Sequence, residues 1–119
     1  MGKTLSLKRQ ERLKGNPRFK VLKEKAKIVY GASFTVSTLP NNLSFNRVGI
    51  SISSRRIPKS VERNRIKRLI RETYRLNKNK LKIGFDILVK PRGTSKTKIG
   101  LKQVETDLMA AFKKSNMLI

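Results

Sequence analysis

From Arg47 to Ser53 the chain reads RVGISIS, with Val48, Ile50 and Ile52 alternating against Arg47, Gly49, Ser51 and Ser53. A period of two with one apolar side predicts a half-buried strand. SFTVSTL, ending at Leu39, alternates in the same way, setting Phe34, Val36 and Thr38 against Thr35, Ser37 and Leu39. The turn chemistry of PNN at residues 40–42 separates the two strands. KIVY at 27–30 predicts a further short strand before Gly31, and GFDILVK, ending at Lys90, a mostly buried one.

Three segments carry a helical rhythm instead. In NPRFKVLKEKA, Asn16 can cap, Pro17 suits the first helical position, and Phe19 and Leu22 share a face. In SVERNRIKRLIRETYRL, from Ser60 to Leu76, the apolar side is drawn by Ile66, Leu69, Ile70, Thr73 and Leu76. In LKQVETDLMAAFKK, from Leu101 to Lys114, the stripe is Leu101, Val104, Leu108 and Phe112. A basic loop, PRGTSKTKIG, precedes the last helix, and residues 1–15 have no apolar rhythm and predict a flexible basic arm. The resulting order, αβββαβα, predicts an α+β two-layer sandwich with a sheet of about four strands. It forms one domain over residues 16–119, without internal repeats. Thr35, Ser37, Gly49 and Ser51 then line the second sheet face. A solvated face is the plain reading of that alternation; the floor of a groove edged by the first helix is the functional one.

Charge changes the picture. The 119 residues hold 30 Lys and Arg against 7 Asp and Glu, a net charge of +23. Self-repulsion on that scale destabilises a small domain unless a polyanion neutralises it. The chain has no Cys and no His. Zinc knuckles, cysteine nucleophiles, Ser–His triads and histidine acid–base chemistry are therefore excluded. The absence of disulfides suits a cytoplasmic protein. No run approaches the roughly 20 apolar residues of a membrane span, and no signal peptide is recognisable. MGKTLS matches a myristoylation pattern, but nothing else points to a lipid anchor.

The 60–76 helix concentrates the charge. Arg63, Asn64, Lys67, Arg68, Arg71 and Arg75 are assigned to the side away from its apolar stripe, with Arg65 at the border. Like charges four residues apart destabilise a helix, and only Glu62 and Glu72 offset them. A face that merely meets water more often mixes its signs. Phosphates would relieve the repulsion, and arginine forks match their geometry. No helix-turn-helix pair, RRM aromatic pattern or KH-type GxxG loop is present, so charge alone leaves DNA and RNA open.

RVGISISSRRIPKSVERNRIKRLIRETYR, from Arg47 to Arg75, closely resembles the signature region of the bacterial ribonuclease P protein subunit. That family shows a Val-Gly-Ile/Leu-Ser-Val-Ser strand, two basic residues, a linker, and an Arg-Asn-Arg-hydrophobic-Lys-Arg core, here Arg63 to Arg68. Leu13-Lys14, Phe19, Phe34, Pro40-Asn41, GFDILVKPR and the closing helix extend the likeness over roughly residues 13–115. Departures are Ser60 for a usual Ala, Arg55 and Arg56 for paired lysines, Lys23 for a second Phe, and Ser37 for a groove Tyr.

The resemblance implies a subunit that binds the catalytic RNA of ribonuclease P through Arg55, Arg56, Lys59, Arg63, Asn64, Arg65, Lys67, Arg68 and Arg71. It implies a groove for the 5′ leader of precursor tRNA, here Phe19, Lys23, Thr35 and Ser37, with Lys23 offering a phosphate contact where an aromatic is missing. The RNA performs the hydrolysis with Mg²⁺, which it holds itself; the polypeptide contributes no catalytic or metal-binding residue and needs no membrane or protein partner. The family fold also implies a left-handed βαβ crossover around the main helix, against the usual handedness. Two alternatives are a ribosomal or other structural RNA-binding protein, and a self-sufficient metal-dependent nuclease. The second would need clustered carboxylates, and Asp86, Glu105 and Asp107 lack metal-ligand spacing.

Overall fold

The computed structural model describes residues 11–13, 16–31, 33–91 and 100–119, without the side chains of Asn16 and Pro17. The first ten residues, with the MGKTLS pattern, and residues 92–99 of the basic loop lie outside the described part, as does any capping by Asn16.

The elements are α1 (Asn16–Lys25), β1 (Lys27–Tyr30), β2 (Phe34–Pro40), β3 (Arg47–Ile50), α2 (Ser60–Asn77), β4 (Phe85–Pro91) and α3 (Leu101–Lys114). This is the predicted order. The third strand ends at Ile50, short of the predicted Ser53, though the Ser51 amide still donates to the Val89 carbonyl at 3.0 Å.

The sheet runs β1-β2-β4-β3. β2 is antiparallel to β1 and β4, whereas β3 is parallel to β4. β4 is therefore internal, and Asp86, Ile87, Leu88 and Val89 are all buried. Burial on both faces explains why this strand reads as a continuous apolar run rather than an alternation. Two adjacent parallel strands need a crossover, and α2 makes it.

One sheet face, through Phe34, Val36, Val48, Ile87 and Val89, packs against Ile66, Ile70 and Tyr74 of α2 and Val104, Leu108 and Phe112 of α3. The stripe predicted for α2 is rotated by the structure. Ile66, Ile70, Thr73, Tyr74 and Asn77 are buried, while Leu76 is exposed. Leu101, predicted to join the α3 stripe, is likewise exposed at the first residue of its helix.

The other sheet face carries α1. Leu13, Leu22 and Leu88 form a second small apolar cluster, with Phe19, Ala26 and Leu39 packed against it. Gly49 allows this closeness: a Cβ there would lie 3.1 Å from the Phe19 ring and 3.2 Å from the Leu13 Cβ. Gly49 and Ser37, expected to floor an open groove, are instead buried. Alternation places them on the correct face but does not reveal what covers it.

Residues 11–13, expected within the arm, are seated on the sheet. Arg12 bridges to Val48 in parallel fashion, and the Leu13 amide donates to the Val48 carbonyl at 2.8 Å. Glu11 is buried beside Lys78, whose ammonium donates to its two carboxylate oxygens at 3.1 and 3.2 Å.

Candidate nucleic-acid interface

The link from β3 to α2 carries the first cations. Ile57 is buried and anchors it, while Arg55, Arg56 and Lys59 stay exposed. Two backbone contacts tighten the turn: the Arg55 amide donates to Ser53 Oγ at 3.1 Å, and the Ile57 amide to the Ser53 carbonyl at 3.0 Å. Arg63 then reaches back. Its Nη1 donates to the carbonyls of Ile57 at 2.9 Å and Pro58 at 2.7 Å. Arg63 was assigned to the outer cationic face, but it stands three residues before Ile66 and seven before Ile70. That spacing projects it on their side of the helix.

The outer face of α2 converges elsewhere. Arg65, Arg68, Leu69, Arg71 and Arg75 line a recess of about 680 Å³ with Glu72 and with Arg12 from the seated segment. Burial, and then the nearby Arg12 guanidinium, lower the pKa of Arg71. Arg65 is held by Glu62 at 3.4 Å and Arg75 by Glu72 at 2.5 Å. Asn64 is exposed and Lys67 half-buried, and neither lines this recess. Arg12 was not anticipated. Its place depends on a bridge across 36 positions of chain, to Val48, and no local pattern announces such a pairing.

A second polar region lies between α1 and the sheet. Phe19, Lys20 and Lys23 stand over Ser51 and Leu88 around a space of about 350 Å³. Past Ser51 the groove continues into a recess of about 490 Å³ lined by Tyr30, Thr35, Ser53, Arg56, Lys90 and Pro91. Of the four residues predicted for a groove, Phe19 and Lys23 lie at one end and Thr35 at the other. Ser37 is only 6% exposed and lines neither space. Arg56, predicted with the α2 cations, also borders this groove. Burial lowers the Lys90 pKa, and the Lys23 charge adds to the effect. Tyr30 and Lys90 were missed: period two sets Tyr30 on one side of β1 with Ile28, but only the pairing of Tyr30 with Thr35 puts that side on the groove.

Six of the seven carboxylates have partners within the protein. Asp86 pairs with Arg18 and Arg47, and Glu11, Glu62 and Glu72 pair with Lys78, Arg65 and Arg75. Asp107 accepts from Ser33 and Gln103, and Glu105 from Asn77. Among the described residues no group of three or more acids could hold a metal ion, and no helix is long and apolar enough to cross a membrane. What the arrangement offers chemically is two sets of donors and cations suited to phosphate and sugar.

Comparison with known proteins agrees with this surface chemistry. The family model described as Ribonuclease P matches residues 7–116. The ribonuclease P protein component of Alkaliphilus oremlandii is 36% identical over 112 residues, covering 94% of this chain and 96% of that protein. The RNase P protein of Staphylococcus aureus superposes with a TM-score of 0.81 at 30% identity, over 92% of this chain and 98% of that one. The Thermotoga maritima RNase P protein gives a TM-score of 0.78 at 29% identity, over 87% and 96% respectively.

Proposed function

The chain belongs to the ribonuclease P protein family, and from that membership we propose a division of labour between its two cationic surfaces. As a family member it is a protein subunit of an endoribonuclease holoenzyme in tRNA 5′ processing, and its partner is RNA. In the proposal, the α2 face and the loop before it bind the catalytic RNA. The groove between α1 and the sheet takes the 5′ leader of precursor tRNA.

The observation that carries the reading is the convergence of Arg12, Arg65, Arg68 and Arg71 on one recess. Crowded guanidiniums repel, and the lowered pKa of Arg71 reflects both burial and the Arg12 charge. A phosphate in the recess would turn that repulsion into charge-assisted hydrogen bonds, whose geometry the guanidinium fork matches. Each phosphate neutralised also releases condensed counterions, so affinity should fall steeply with salt.

Arg63 acts differently in this scheme. By holding the Ile57 and Pro58 carbonyls it fixes the loop, and so sets where Arg55 and Lys59 meet the RNA. In the groove, Lys23 and Lys90 offer cations to the leader backbone while Phe19 supplies an apolar wall.

The cofactor is Mg²⁺, held by RNA oxygens and supplying the charge stabilisation of phosphodiester hydrolysis. Asp86, Glu11, Glu62 and Glu72, already paired with arginine or lysine, are assigned to folding rather than to metal. The protein neutralises phosphates, orients the leader and brings substrate to the RNA, and the assembly works in the cytoplasm. Family membership disfavours the alternative of a ribosomal or other structural RNA-binding protein.

The deciding assay is cleavage of precursor tRNA at low Mg²⁺ by the protein alone, the cognate RNA alone, and both together. Activity that requires the RNA and is raised by the protein supports the reading. Cleavage by the protein alone, or indifference of the RNA to it, overturns it.

A further inference from the structure

Tyr30 of β1, Thr35 of β2 and Lys90 of β4 form one row across the sheet. Tyr30 and Thr35 are register partners, and so are Thr35 and Lys90. Partnership across adjacent strands puts all three side chains on the same face, the one that carries the groove. Two strand spacings, ~10 Å, separate Tyr30 from Lys90. Ser51 extends the row, because its amide donates to Val89 beside Lys90. The recess above these residues measures about 490 Å³ and is also lined by Ser53 and Arg56.

Tyr30 is 62% exposed. It lies on an edge strand, outside the buried core, at the end of a cationic groove. From the ring the row passes to a hydroxyl and then to an ammonium. That is the order of a nucleotide laid flat, from base through sugar to phosphate. Aromatic faces accept any base, and hydroxyls and cations serve sugar and backbone, so the chemistry suits single-stranded RNA without sequence preference.

We propose that the Tyr30–Thr35–Lys90 row seats one nucleotide of single-stranded RNA, its base against Tyr30 and its phosphate between Lys90 and Arg56. The inference rests on the groove being the leader site, and it adds a stacking position at the opposite end from Phe19. The leader then spans the groove from Lys23 to β1, held by charge at the α1 end and by stacking at the edge strand.

The test uses holoenzyme assembled with the cognate RNA. Precursor tRNAs carry 2-aminopurine at successive leader positions, and a one-nucleotide-leader precursor serves as the control. In the wild-type holoenzyme one leader position should show quenched fluorescence. Tyr30→Ala should abolish that quenching and weaken long-leader binding roughly five- to tenfold, the low end of what one base–aromatic stack supplies. Tyr30→Phe should restore both, and the one-nucleotide-leader precursor should bind all three proteins alike, which also verifies their folding. If removing the leader leaves wild-type affinity unchanged, the leader-groove reading fails and the inference falls with it. If leader length matters but Tyr30→Ala binds and quenches like wild type, the inference alone is overturned. A loss in Tyr30→Ala that Tyr30→Phe does not repair also overturns it, because a hydroxyl contact rather than a stack would then be responsible.

Discussion

Arg47 and Asp86 face each other across the parallel pair β3 and β4, and the guanidinium grips the carboxylate with two bonds, Nε to Oδ1 and Nη2 to Oδ2, each 2.8 Å. Arg18 of α1 donates to the same carboxylate. Asn41 of the turn after β2 adds a bond to Oδ1 at 3.0 Å. The Asp86 side chain is fully buried, so one anion ties α1, the turn and β3 to the central strand. In a chain of net charge +23, it fixes the helix that walls the groove.

Asp86→Asn keeps the volume and removes the charge. Hydrogen bonds to a charged group are worth about 1.5–3 kcal/mol each, and the remaining amide satisfies the arginines poorly. A loss of about 2 kcal/mol is expected in urea unfolding, with α1 loosened first. Hydrogen exchange in α1 should rise more than in α2; equal protection in both helices would refute the tethering role.

Acid dependence follows from the same group. Burial pushes the Asp86 carboxyl upward, but hydrogen bonds from Arg47, Asn41 and Arg18 outweigh it and hold the pKa below the ordinary value. A depressed folded-state pKa stabilises above the unfolded value, about 4, and that stability is lost as pH falls through the folded value. Wild type should therefore lose stability below about pH 4 more steeply than Asp86→Asn. Glu72, lowered chiefly by its hydrogen bond from Arg75, titrates in both proteins and cancels from the difference.

Thr73 is fully buried on α2, and its hydroxyl oxygen has no hydrogen-bond partner. A buried unsatisfied polar group costs about 1–3 kcal/mol. Thr73→Val replaces the hydroxyl with a methyl group of similar size. The variant is expected to unfold at higher urea concentration, with stability raised by about 1 kcal/mol and RNA binding unchanged. A destabilised variant would mean that the hydroxyl is satisfied in solution.

Gly49 sets the depth of the groove wall. A methyl group there must displace the Phe19 ring, which lies 3.1 Å from the Cβ position, or Leu13 at 3.2 Å. Gly49→Ala is expected to cost about 1–2 kcal/mol and to weaken long-leader precursors more than one-nucleotide-leader ones. Equal weakening of both in a titration with holoenzyme would place the effect on RNA assembly instead.

Much of this architecture was legible because alternation and helical spacing are local. Val48 and Ile50 revealed their strand, and Ile66 and Ile70 their helix, without knowledge of neighbours. Side and cover are different properties. Thr35 and Ser37 alternate onto one face together, yet only Thr35 reaches the groove while Ser37 is buried. Arg12 was illegible because its site depends on a long-range bridge. Tyr74 was legible but overlooked. It lies four residues after Ile70, within the inner arc, and its burial pushes the phenol up to about 12.

Arg63 and the pair Arg68 and Arg71 belong to one sequence motif but have different surroundings, and their substitutions should separate. Arg68 and Arg71 line the recess with Arg12, whereas Arg63 Nη1 is bound to the Ile57 and Pro58 carbonyls. In Arg68→Ala/Arg71→Ala the catalytic RNA should bind more weakly, and the slope of log affinity against log salt should flatten by up to about 2, roughly one per phosphate contact. Arg63→Ala should weaken binding with little change of slope, because it removes loop order rather than a counterion-releasing contact. Its cost should appear in stability, at about 1–2 kcal/mol for two charge-assisted bonds that are partly open to water. Filter binding across a salt series with all three proteins distinguishes the roles. A flattened slope in Arg63→Ala would put that guanidinium on a phosphate, and an unchanged slope in the folded double variant would remove the recess from the RNA interface.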